Sequence, residues 1–492
     1  MISMIRSFLT TSVECHSILS SSGFFHQNIS TNRAHFYNDS KLDNLNFLAE
    51  FTPGFCVNAA NVKVIHHPKD FYNILLKRAS AAKERIGLAS LYIGVGKLES
   101  ELIEAIRTNL NSNKNIKVNV LLDFTRGTRG KINSKTMLMP LLNQSENFNL
   151  SLYHTPLLRG ITKSLAPARW NEVLGLQHMK IYLFDDSIIM SGANLSNDYF
   201  TNRQDRYIEI QDKKLTSYFS SLLEKVQEFS LKVERNGSFS LHENWNLLPY
   251  KSDQQKFATE AKARISSFFK ETFEKQRHEL DNISNDTWIF PTLEMGQLGI
   301  HHDSVVMEKI LNVSEKGSTI NMASGYFNLT EKLKDFIVKK CHADFNIIMA
   351  HPNANGFKGS SWPSSGIPDA YTLIAKKFFN LIKENEQENR ISLFEYERSF
   401  WTYHAKGIWY YPVDSSLPCM TVVGSSNYGE RSLNRDLESQ ICLVTTNKEL
   451  QLSLKNEYDH LKAYASPAEF NLLQRIVPNW VKCVVLLFKN FF

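Results

Sequence analysis

The chain has 492 residues, of which 42% are hydrophobic and 12% aromatic, so it can form two or more domains or one large duplicated unit with a sizeable core. The net charge of +6 suits an anionic substrate or an anionic membrane surface, and the lack of lysine and arginine runs argues against nucleic acid as a partner. The six cysteines form no Cys-x-x-Cys pair, which argues against structural zinc, and no apolar run is long enough to span a bilayer.

Residues 1–50 are predicted to be a leader. The first 33 residues contain eight serines, two arginines and one acidic residue, and residues 2–9 form an apolar segment around Arg6. An apolar, basic and serine-rich start of this kind resembles a mitochondrial transit peptide. A disordered tail without a targeting role is the alternative.

Residues 51–245 are predicted to form a first α/β unit. Within it, residues 86–106 change from a short apolar strand pattern to an amphipathic helix pattern, and apolar strands follow at 116–122 and 150–153. Residues 246–300 are charged and are predicted to form a helical connection to the next unit.

The first unit ends in a group of polar residues with regular spacing. A strand carries His178-x-Lys180, and Asp185 follows after a gap of four residues. A small-residue turn then ends at Asn194, and Asp205 stands eleven residues further on. Because side chains alternate along a strand, the histidine and the lysine point to the same face.

Residues 301–447 repeat the organisation of the first unit. Residues 320–340 correspond to 86–106 and share their Ala-Ser-x-Tyr start, and apolar strands follow at 345–350 and 391–394. The matching order of strands and helices predicts an α/β protein built from two duplicated halves, with one sheet in each half.

The second unit repeats the polar group as well. It contains His404-x-Lys406, a small-residue turn that ends at Asn427, and Glu438 eleven residues after that asparagine. The histidines are separated by 226 residues and the asparagines by 233. A single His-x-Lys arises easily by chance, whereas two copies with matched turns and acids favour a functional site.

Residues 448–492 are predicted to form a helical tail. Its last 13 residues are apolar and include Lys482 and Lys489. This end is too short to span a bilayer but suits a helix in the membrane interface, with the lysines at the headgroups. The alternative is a last helix that packs on the core.

The paired residues suit the chemistry of a phosphodiester. One histidine can attack phosphorus and form a phosphohistidine, while the other protonates the leaving oxygen and later deprotonates an incoming hydroxyl. Lysine and asparagine side chains can hold the phosphoryl oxygens. A carboxylate at an equivalent place in each half can orient the imidazole of the opposite half. This chemistry requires neither a metal nor an organic cofactor, and none is expected.

These residues resemble the phospholipase D superfamily, whose signature is His-x-Lys-x4-Asp with a downstream Gly-Ser-x-Asn type of turn. The first half fits the signature well through His178, Lys180, Asp185 and Asn194. In the second half Tyr411 stands where an aspartate is expected. Within the superfamily, residues 121–130, 175–207 and 404–438 are similar to the mitochondrial phosphatidylglycerophosphate synthases. The resemblance implies two α/β sandwich halves with the active site at their pseudo-twofold interface.

The resemblance also implies an activity. The phosphatidyl group of CDP-diacylglycerol passes to glycerol 3-phosphate, CMP leaves, and the product leads to phosphatidylglycerol and cardiolipin at the mitochondrial inner membrane. His178 is the expected nucleophile because its motif is complete, and His404 is the expected acid and base. The remaining expected roles are phosphate binding by Lys180, Lys406, Asn194 and Asn427, orientation of the imidazoles by Asp205 and Glu438, and bracing of its own strand or loop by Asp185, the last residue of the catalytic motif.

Arg126 and Arg129 are candidates for binding the phosphate of the acceptor. They lie in a glycine-flanked turn just after a strand, where sites of α/β proteins usually open. The alternative is that they are surface arginines that pair with Asp123 or with nothing. For the activity, the alternatives are a phospholipase D-type phosphodiesterase, a phosphatidylserine synthase, and a lipid-binding scaffold without catalysis.

Overall fold

The structure is a computed structural model that describes residues 40–159, 174–277, 286–361 and 364–488. The expected transit segment, residues 1–33, lies outside the described residues, as does Lys489.

The described residues form strands and helices that alternate along most of the chain. The strands are β1 (Phe55–Val57), β2 (Val62–Ile65), β3 (Arg85–Ala89), β4 (Lys117–Asp123), β5 (Phe148–Tyr153), β6 (Ile181–Phe184), β7 (Ser187–Ser191), β8 (Arg203–Gln204), β9 (Tyr207–Gln211), β10 (Leu231–Val233), β11 (Phe239–Ser240), β12 (Thr287–Met295), β13 (Ile300–His301), β14 (Thr319–Ser324), β15 (Asp344–Ala350), β16 (Ile391–Tyr396), β17 (Thr402–Tyr403), β18 (Lys406–Tyr411), β19 (Met420–Gly424), β20 (Leu437–Thr445) and β21 (Ala465–Pro467). The helices are α1 (Leu48–Phe51), α2 (Pro68–Ala81), α3 (Lys97–Ser112), α4 (Phe124–Gly127), α5 (Ser134–Gln144), α6 (Asn197–Thr201), α7 (Lys213–Glu228), α8 (Gln254–Arg277), α9 (His302–Val313), α10 (Glu331–Lys339), α11 (Ile367–Glu384), α12 (Glu430–Asn434), α13 (Lys448–Lys462), α14 (Glu469–Gln474) and α15 (Asn479–Phe488).

The two large sheets contain the same arrangement of strands. The first has the order β11–β10–β5–β4–β3–β6–β7–β9–β2, and the second has the order β1–β12–β20–β19–β18–β14–β15–β16–β21, with β13 beside β12. The strands β5–β4–β3–β6–β7–β9–β2 therefore correspond to β16–β15–β14–β18–β19–β20–β12. In each sheet the first three of these strands are parallel and the others are antiparallel. The duplication read from the sequence is thus a duplication of the fold.

The boundaries between the halves differ from a simple division of the chain. The strand β12 lies within residues 246–300, the segment expected to be a helical connection, and α8 fills the earlier part of that segment. Because β12 pairs with β20 over nine residues, the second sheet begins before residue 301. The strand β1, near the start of the first unit, pairs with β12 and so also belongs to the second sheet.

Helices cover both faces of each sheet. Side chains of α2, α3 and α5 pack on the outer face of the first sheet, and those of α9, α10 and α11 pack on the outer face of the second. The inner faces of both sheets share one core with α7, α8 and α13. The equivalent helices α7 and α13 begin in the same way, because the side chains of Asp212 and Asn447 accept hydrogen bonds from backbone N–H groups of the first turn.

The C-terminal helix α15 packs against α11 through one face. Val481 and Val485 are buried against Ala370 and Ile374, while Leu486 on the other face is 78% exposed. One face of α15 is therefore packed on the fold, while Leu486 lies on an open face, and contact of the tail with the membrane interface remains a prediction. Within the described ranges, no helix has both the length and the apolar character needed to cross a bilayer.

Candidate active site at the interface of the halves

Each histidine of the repeated motif is fixed by a backbone contact with the opposite half. The N–H of His178 donates to the carbonyl of Leu437 at 2.9 Å, and the N–H of His404 donates to the carbonyl of Gln204 at 2.8 Å. The second contact continues the parallel pairing of β8 with β17, and the first lies beside a bridge between Gln177 and Leu437. The two imidazoles are thus positioned by the pseudo-twofold interface, and both are buried.

Each imidazole also pairs with a carboxylate of the opposite half. Nδ1 of His178 lies 2.9 and 3.0 Å from the two oxygens of Glu438, and Nδ1 of His404 lies 2.6 Å from Oδ2 of Asp205. An ionised carboxylate only accepts hydrogen bonds, so each Nδ1 carries the proton. The lone pair of each neutral imidazole is therefore on Nε2, the nitrogen available for attack or for accepting a proton.

The two lysines are fully buried beside their histidines. Nζ of Lys180 donates to the carbonyl of His178 at 2.7 Å, and Nζ of Lys406 lies 3.1 Å from the carbonyl of His404 and 3.8 Å from Oδ2 of Asp205. Burial lowers the pKa of both ammonium groups, and the nearby carboxylates oppose that change. A phosphate group bound beside them would raise the pKa of both lysines by supplying negative charge.

The motifs of the two halves share one electrostatic environment. Burial is the main cause that lowers the pKa of both histidines well below the usual range. The ammonium group of Lys406 adds to this effect at His178, and that of Lys180 adds to it at His404. Both imidazoles are therefore neutral at neutral pH in the empty site, as a nucleophile or a general base requires.

Burial also raises the pKa of the two carboxyl groups that orient the imidazoles. The pKa of Asp205 rises to about 6 and that of Glu438 to about 7, with lysines and hydrogen bonds opposing the increase. The backbone N–H of Arg206 donates to Asp205 at 2.8 Å, and the hydroxyl of Ser432 donates to Glu438. Both carboxylates are thus held in place by groups of their own half.

Comparison with known proteins gives one match within the first half and several over most of the chain. Residues 75–227 match the family model described as cardiolipin synthase, phospholipase D-like domain. The chain is 39% identical over 481 residues to the mitochondrial CDP-diacylglycerol–glycerol-3-phosphate 3-phosphatidyltransferase of Gallus gallus, covering 91% of this chain and 86% of the relative. The corresponding Homo sapiens protein is 39% identical, and the Saccharomyces cerevisiae enzyme is 35% identical over 84% of both chains. The chain belongs to the CDP-diacylglycerol–glycerol-3-phosphate 3-phosphatidyltransferase family.

A solved structure supports the fold of this phosphatidyltransferase family member. The crystal structure of phosphatidylserine synthase from Haemophilus influenzae Rd KW20 superposes with a TM-score of 0.69, covering 92% of this chain and 97% of that chain. The sequences are only 17% identical, so the similarity concerns the fold alone. The chain therefore has the α/β fold of two duplicated phospholipase D-like halves, as the resemblance implied.

The remaining predicted site residues lie at different distances from the imidazoles. Asn194 and Asn427 end the turns after β7 and β19, and each has a buried side-chain oxygen that finds no hydrogen-bond partner among the described residues. Asp185 lies at the far end of β6, seven residues beyond His178, which is about 20 Å along a strand. It adopts a left-handed backbone conformation with φ of 52° and accepts hydrogen bonds from the N–H groups of residues 83–85. This position fits bracing of the loop and gives Asp185 no contact with the imidazoles.

The two candidate arginines are placed differently. The guanidinium of Arg126 lies 4.6 Å from the centre of the Tyr92 ring, and its charge acts on the hydroxyl of Tyr326. The ring of Tyr326 packs edge-on against His404, with 5.2 Å between ring centres. Arg126 therefore faces the site, whereas Arg129, three residues later, is exposed. The carboxylate of Asp123 accepts from the backbone N–H of Arg126.

Sequence reasoning did not single out Tyr199, which lies beside His404. The hydroxyl of Tyr199 lies 3.2 Å from Nε2 of His404, and the guanidinium of Arg203 stacks on the Tyr199 ring at 4.8 Å. The shared Ala-Ser-x-Tyr start of the two halves was the signal that marked Tyr326 and its counterpart Tyr92. For Tyr199 no such signal exists, because the repeat has no tyrosine at the equivalent position.

One group in the described part of the chain has ligand atoms close enough to hold a metal ion. Atoms of His178, Asp436 and Glu438 lie within 4.8 Å of one another. However, Asp436 accepts a hydrogen bond from the N–H of Leu176 and pairs with Arg431 at 3.2 Å, while Glu438 binds the imidazole. These contacts account for the grouping as part of the histidine–carboxylate arrangement.

Proposed function

We propose that the chain transfers the phosphatidyl group of CDP-diacylglycerol to sn-glycerol 3-phosphate, releasing CMP and forming phosphatidylglycerophosphate. This reaction is the committed step toward phosphatidylglycerol and cardiolipin. Membership of the phosphatidyltransferase family supports the substrates, and the two histidine–carboxylate pairs at one interface support the chemistry. The pairs are the observation that carries the proposal, because each requires residues from both halves.

The transfer proceeds in two steps through a phosphohistidine. In the first step Nε2 of one imidazole bonds to the phosphatidyl phosphorus, and the bond from phosphorus to the oxygen of CMP breaks. In the second step the hydroxyl of glycerol 3-phosphate bonds to phosphorus, the phosphorus–nitrogen bond breaks, and the other imidazole accepts the hydroxyl proton. His178 and His404 are the two imidazoles, and Glu438 and Asp205 hold their Nδ1 protons.

Negative charge on the reacting phosphate is stabilised by groups that are already in place. Lys180 and Lys406 are fully buried, so a charge interaction with phosphoryl oxygens is stronger there than in water. The side-chain amides of Asn194 and Asn427 add hydrogen-bond donors from the turns of the two halves. The phosphate of the acceptor binds Arg126, which faces the site, with Arg129 closer to solvent.

A substrate with two acyl chains requires that the site open toward a membrane. Val95, Ile132 and Phe400 are 51%, 68% and 95% exposed, and they lie in the loops that follow β3, β4 and β16. These strands are parallel members of the two sheets, so their carboxyl ends lie on the side of the site. We infer that these side chains contact an anionic membrane surface, in mitochondria the inner membrane, together with the open face of α15.

A vesicle experiment tests the membrane contact. We expect Phe400→Ser to reduce binding to vesicles that contain anionic phospholipid, while activity on substrate in detergent micelles is kept. Val305→Ser is the matched control, because Val305 is a 40% exposed apolar residue on the outer helix α9. Equal vesicle binding by wild type, Phe400→Ser and Val305→Ser would contradict the assignment of this surface.

The activity itself is tested with purified protein and labelled CDP-diacylglycerol. If the chain is a transferase, we expect CMP release to depend on glycerol 3-phosphate and the label to appear in phosphatidylglycerophosphate. Phosphatidate formed with or without the acceptor would show a phosphodiesterase instead. Serine as the preferred acceptor would show a phosphatidylserine synthase.

A further inference from the structure

The two imidazoles differ at Nε2. The hydroxyl of Tyr199 lies 3.2 Å from Nε2 of His404, and the two rings pack edge-on with 5.1 Å between their centres. Among the residues that the structure describes, no side chain makes a hydrogen bond to Nε2 of His178. Nζ of Lys406 also lies 2.9 Å from Nδ1 and 3.4 Å from Nε2 of His404, whereas Lys180, within the described residues, contacts only the carbonyl of His178. The two imidazoles thus share a carboxylate at Nδ1 but differ in their other contacts, above all at Nε2, the nitrogen that takes part in the reaction.

The difference has a simple origin in the sequence. Five residues after the asparagine of each half, the first half has Tyr199 and the second has Ser432. The hydroxyl of Ser432 donates to Glu438, so it supports the carboxylate of its own half and does not reach the opposite imidazole. The tyrosine hydroxyl, in contrast, accepts a hydrogen bond from Nδ2 of Asn194 at 3.3 Å, which directs its own proton toward Nε2 of His404.

An ion pair on each side adds a second, independent asymmetry. Four and nine residues after the asparagines the two halves have opposite charges, which form the pairs Asp198–Arg203 at 3.0 Å and Arg431–Asp436 at 3.2 Å. After burial and Lys406, the cation of Arg203 further lowers the pKa of His404. At His178 the carboxylate of Asp436 opposes the decrease. The two ion pairs thus place a cation near His404 and a carboxylate near His178.

We propose that Tyr199 is a positioning residue that assigns different roles to the two histidines. Its hydroxyl donates to Nε2 of His404, which occupies the lone pair of that imidazole and reserves it for proton transfer, while His178 is the nucleophile. This inference rests on the proposed phosphatidyl transfer and adds the residue that distinguishes the roles of the two imidazoles.

In this reaction His404 accepts one proton, and it does so in the second step. In the first step Nε2 of His178 bonds to phosphorus, and CMP leaves as a phosphate monoester, whose second pKa of about 6 means that it needs no proton at neutral pH. In the second step the acceptor hydroxyl donates to Nε2 of His404, and the Tyr199 hydroxyl then donates to the acceptor oxygen, so the tyrosine keeps one hydrogen bond in the transfer. As the oxygen bonds to phosphorus and the bond to His178 breaks, the hydroxyl proton passes to His404 and then to solvent.

The variant Tyr199→Phe tests the positioning role. Loss of one hydrogen bond of about 1 kcal/mol corresponds to a fold-change of about five to ten, so we expect kcat/KM for glycerol 3-phosphate to fall by about that factor. The burst of CMP release without acceptor should stay within about twofold of wild type. Removing a donor to Nε2 also makes protonation of His404 easier, because the groups that face it (Asp205, Lys406, Arg203, Lys180 and His178) are unchanged. The acid limb of the kcat/KM profile should therefore move to higher pH.

Tyr218→Phe is the matched control, since Tyr218 is a buried tyrosine in α7 whose hydroxyl has no hydrogen-bond partner within the described part of the chain. It should leave both steps and the pH profile unchanged. A Tyr199→Phe variant that slows the burst about tenfold and leaves the acceptor step unchanged would overturn the proposal. So would a loss of both steps with an unmoved pH profile, which indicates a structural role.

Mapping of the covalent adduct tests the assignment of the histidines directly. With labelled CDP-diacylglycerol and no acceptor, we expect His404→Asn to accumulate a phosphatidyl group on His178 and His178→Asn to form no adduct. An adduct at position 404 would overturn the assignment and leave the transferase in place. An adduct on His178 that wild-type protein passes to water would overturn the transferase and leave the assignment in place. Absence of an adduct in both variants would contradict both.

Discussion

The substitution Asp205→Asn separates the catalytic from the structural contribution of one buried carboxylate. It removes the negative charge beside His404 and nearly preserves the shape of the side chain. Asp205 is 1% exposed, its Oδ2 lies 2.6 Å from Nδ1 of His404, and its Oδ1 accepts from the N–H of Arg206. We expect the variant to lose activity and to gain stability, two effects that rarely occur together.

The loss of activity follows from the tautomer of the imidazole. Nζ of Lys406 lies 2.9 Å from Nδ1 of His404 and is a donor. Without the carboxylate, that ammonium group favours a lone pair on Nδ1 and moves the proton to Nε2, where the imidazole can no longer accept one. General base catalysis contributes about 10²- to 10⁴-fold to a rate. We therefore expect the acceptor step of Asp205→Asn to slow by about that factor.

The gain in stability follows from the raised pKa of Asp205. The pKa of the carboxyl is about 6 in the fold and about 4 in an unfolded chain, so the native state binds the proton more tightly between these values. Stability from this group is present below pH 4 and is lost as pH rises through 6, and at pH 7 the ionised carboxylate costs roughly 3 kcal/mol. An amide does not ionise, so Asp205→Asn should raise the free energy of unfolding at pH 7 by up to about that amount.

Thermal unfolding and single-turnover kinetics at pH 7 measure the two effects together. Asp186→Asn is the control, because Asp186 is a 45% exposed carboxylate paired with Arg85 and remote from the imidazoles. A lower melting temperature combined with less than a tenfold loss of rate would refute the reasoning. For wild type, the rate should fall as pH decreases from 7 to 6, since protonation of Asp205 and Glu438 removes the negative charge that holds the Nδ1 protons of the imidazoles.

Three further substitutions have distinct expected outcomes. Asp185→Ala should lower the free energy of unfolding in denaturant titration by about 1–3 kcal/mol, because it removes the acceptor of three backbone N–H groups, and it should leave kcat unchanged. Gly192→Ala should reduce kcat at least about tenfold in the phosphatidyl-transfer assay, since its Cβ would lie 2.7 Å from Nζ of Lys406. Arg126→Ala should raise KM for glycerol 3-phosphate by roughly tenfold to a hundredfold without changing KM for CDP-diacylglycerol, and Arg107→Ala, on the exposed face of α3, should change neither constant.

The sequence contained enough information to predict the duplicated α/β fold and the family. Spacing was sufficient because the repeat keeps both the order of its strands and the distance from each asparagine to the acid. The strand β12 was not predicted, since all nine of its residues are buried and it contains Pro291, so it lacks the alternation of a half-buried strand. The pairing of β1 with β12 was also missed, because nothing in a three-residue strand indicates which sheet it joins.

Within the site, repetition allowed a prediction of what the halves share but not of how they differ. The structure brings His178, His404 and their two carboxylates to one interface, and the roles assigned to them remain predictions. Tyr199 acts at a position where the halves are unlike, so a search for repeated residues passes over it. Its contact with His404 crosses the interface and depends on the packing of both halves.

The electrostatics of the empty site explain why it is suited to an anionic substrate. The carboxyl groups, lysines and histidines at this interface are buried, and burial disfavours the charged form of every one of them. The charges of each half are partly neutralised by groups of both halves, and folding brings together groups that are less stable there than in water. In the proposed reaction, the diphosphate of CDP-diacylglycerol would supply negative charge beside Lys180 and Lys406, which would favour their ammonium forms and offset this cost on binding. Because charge on the phosphoryl oxygens shifts during the transfer, fixed ammonium groups can stabilise the transition state without rearrangement. The instability of the empty site and its catalytic use thus have the same origin, which is why replacing Asp205 should stabilise the fold and slow the reaction.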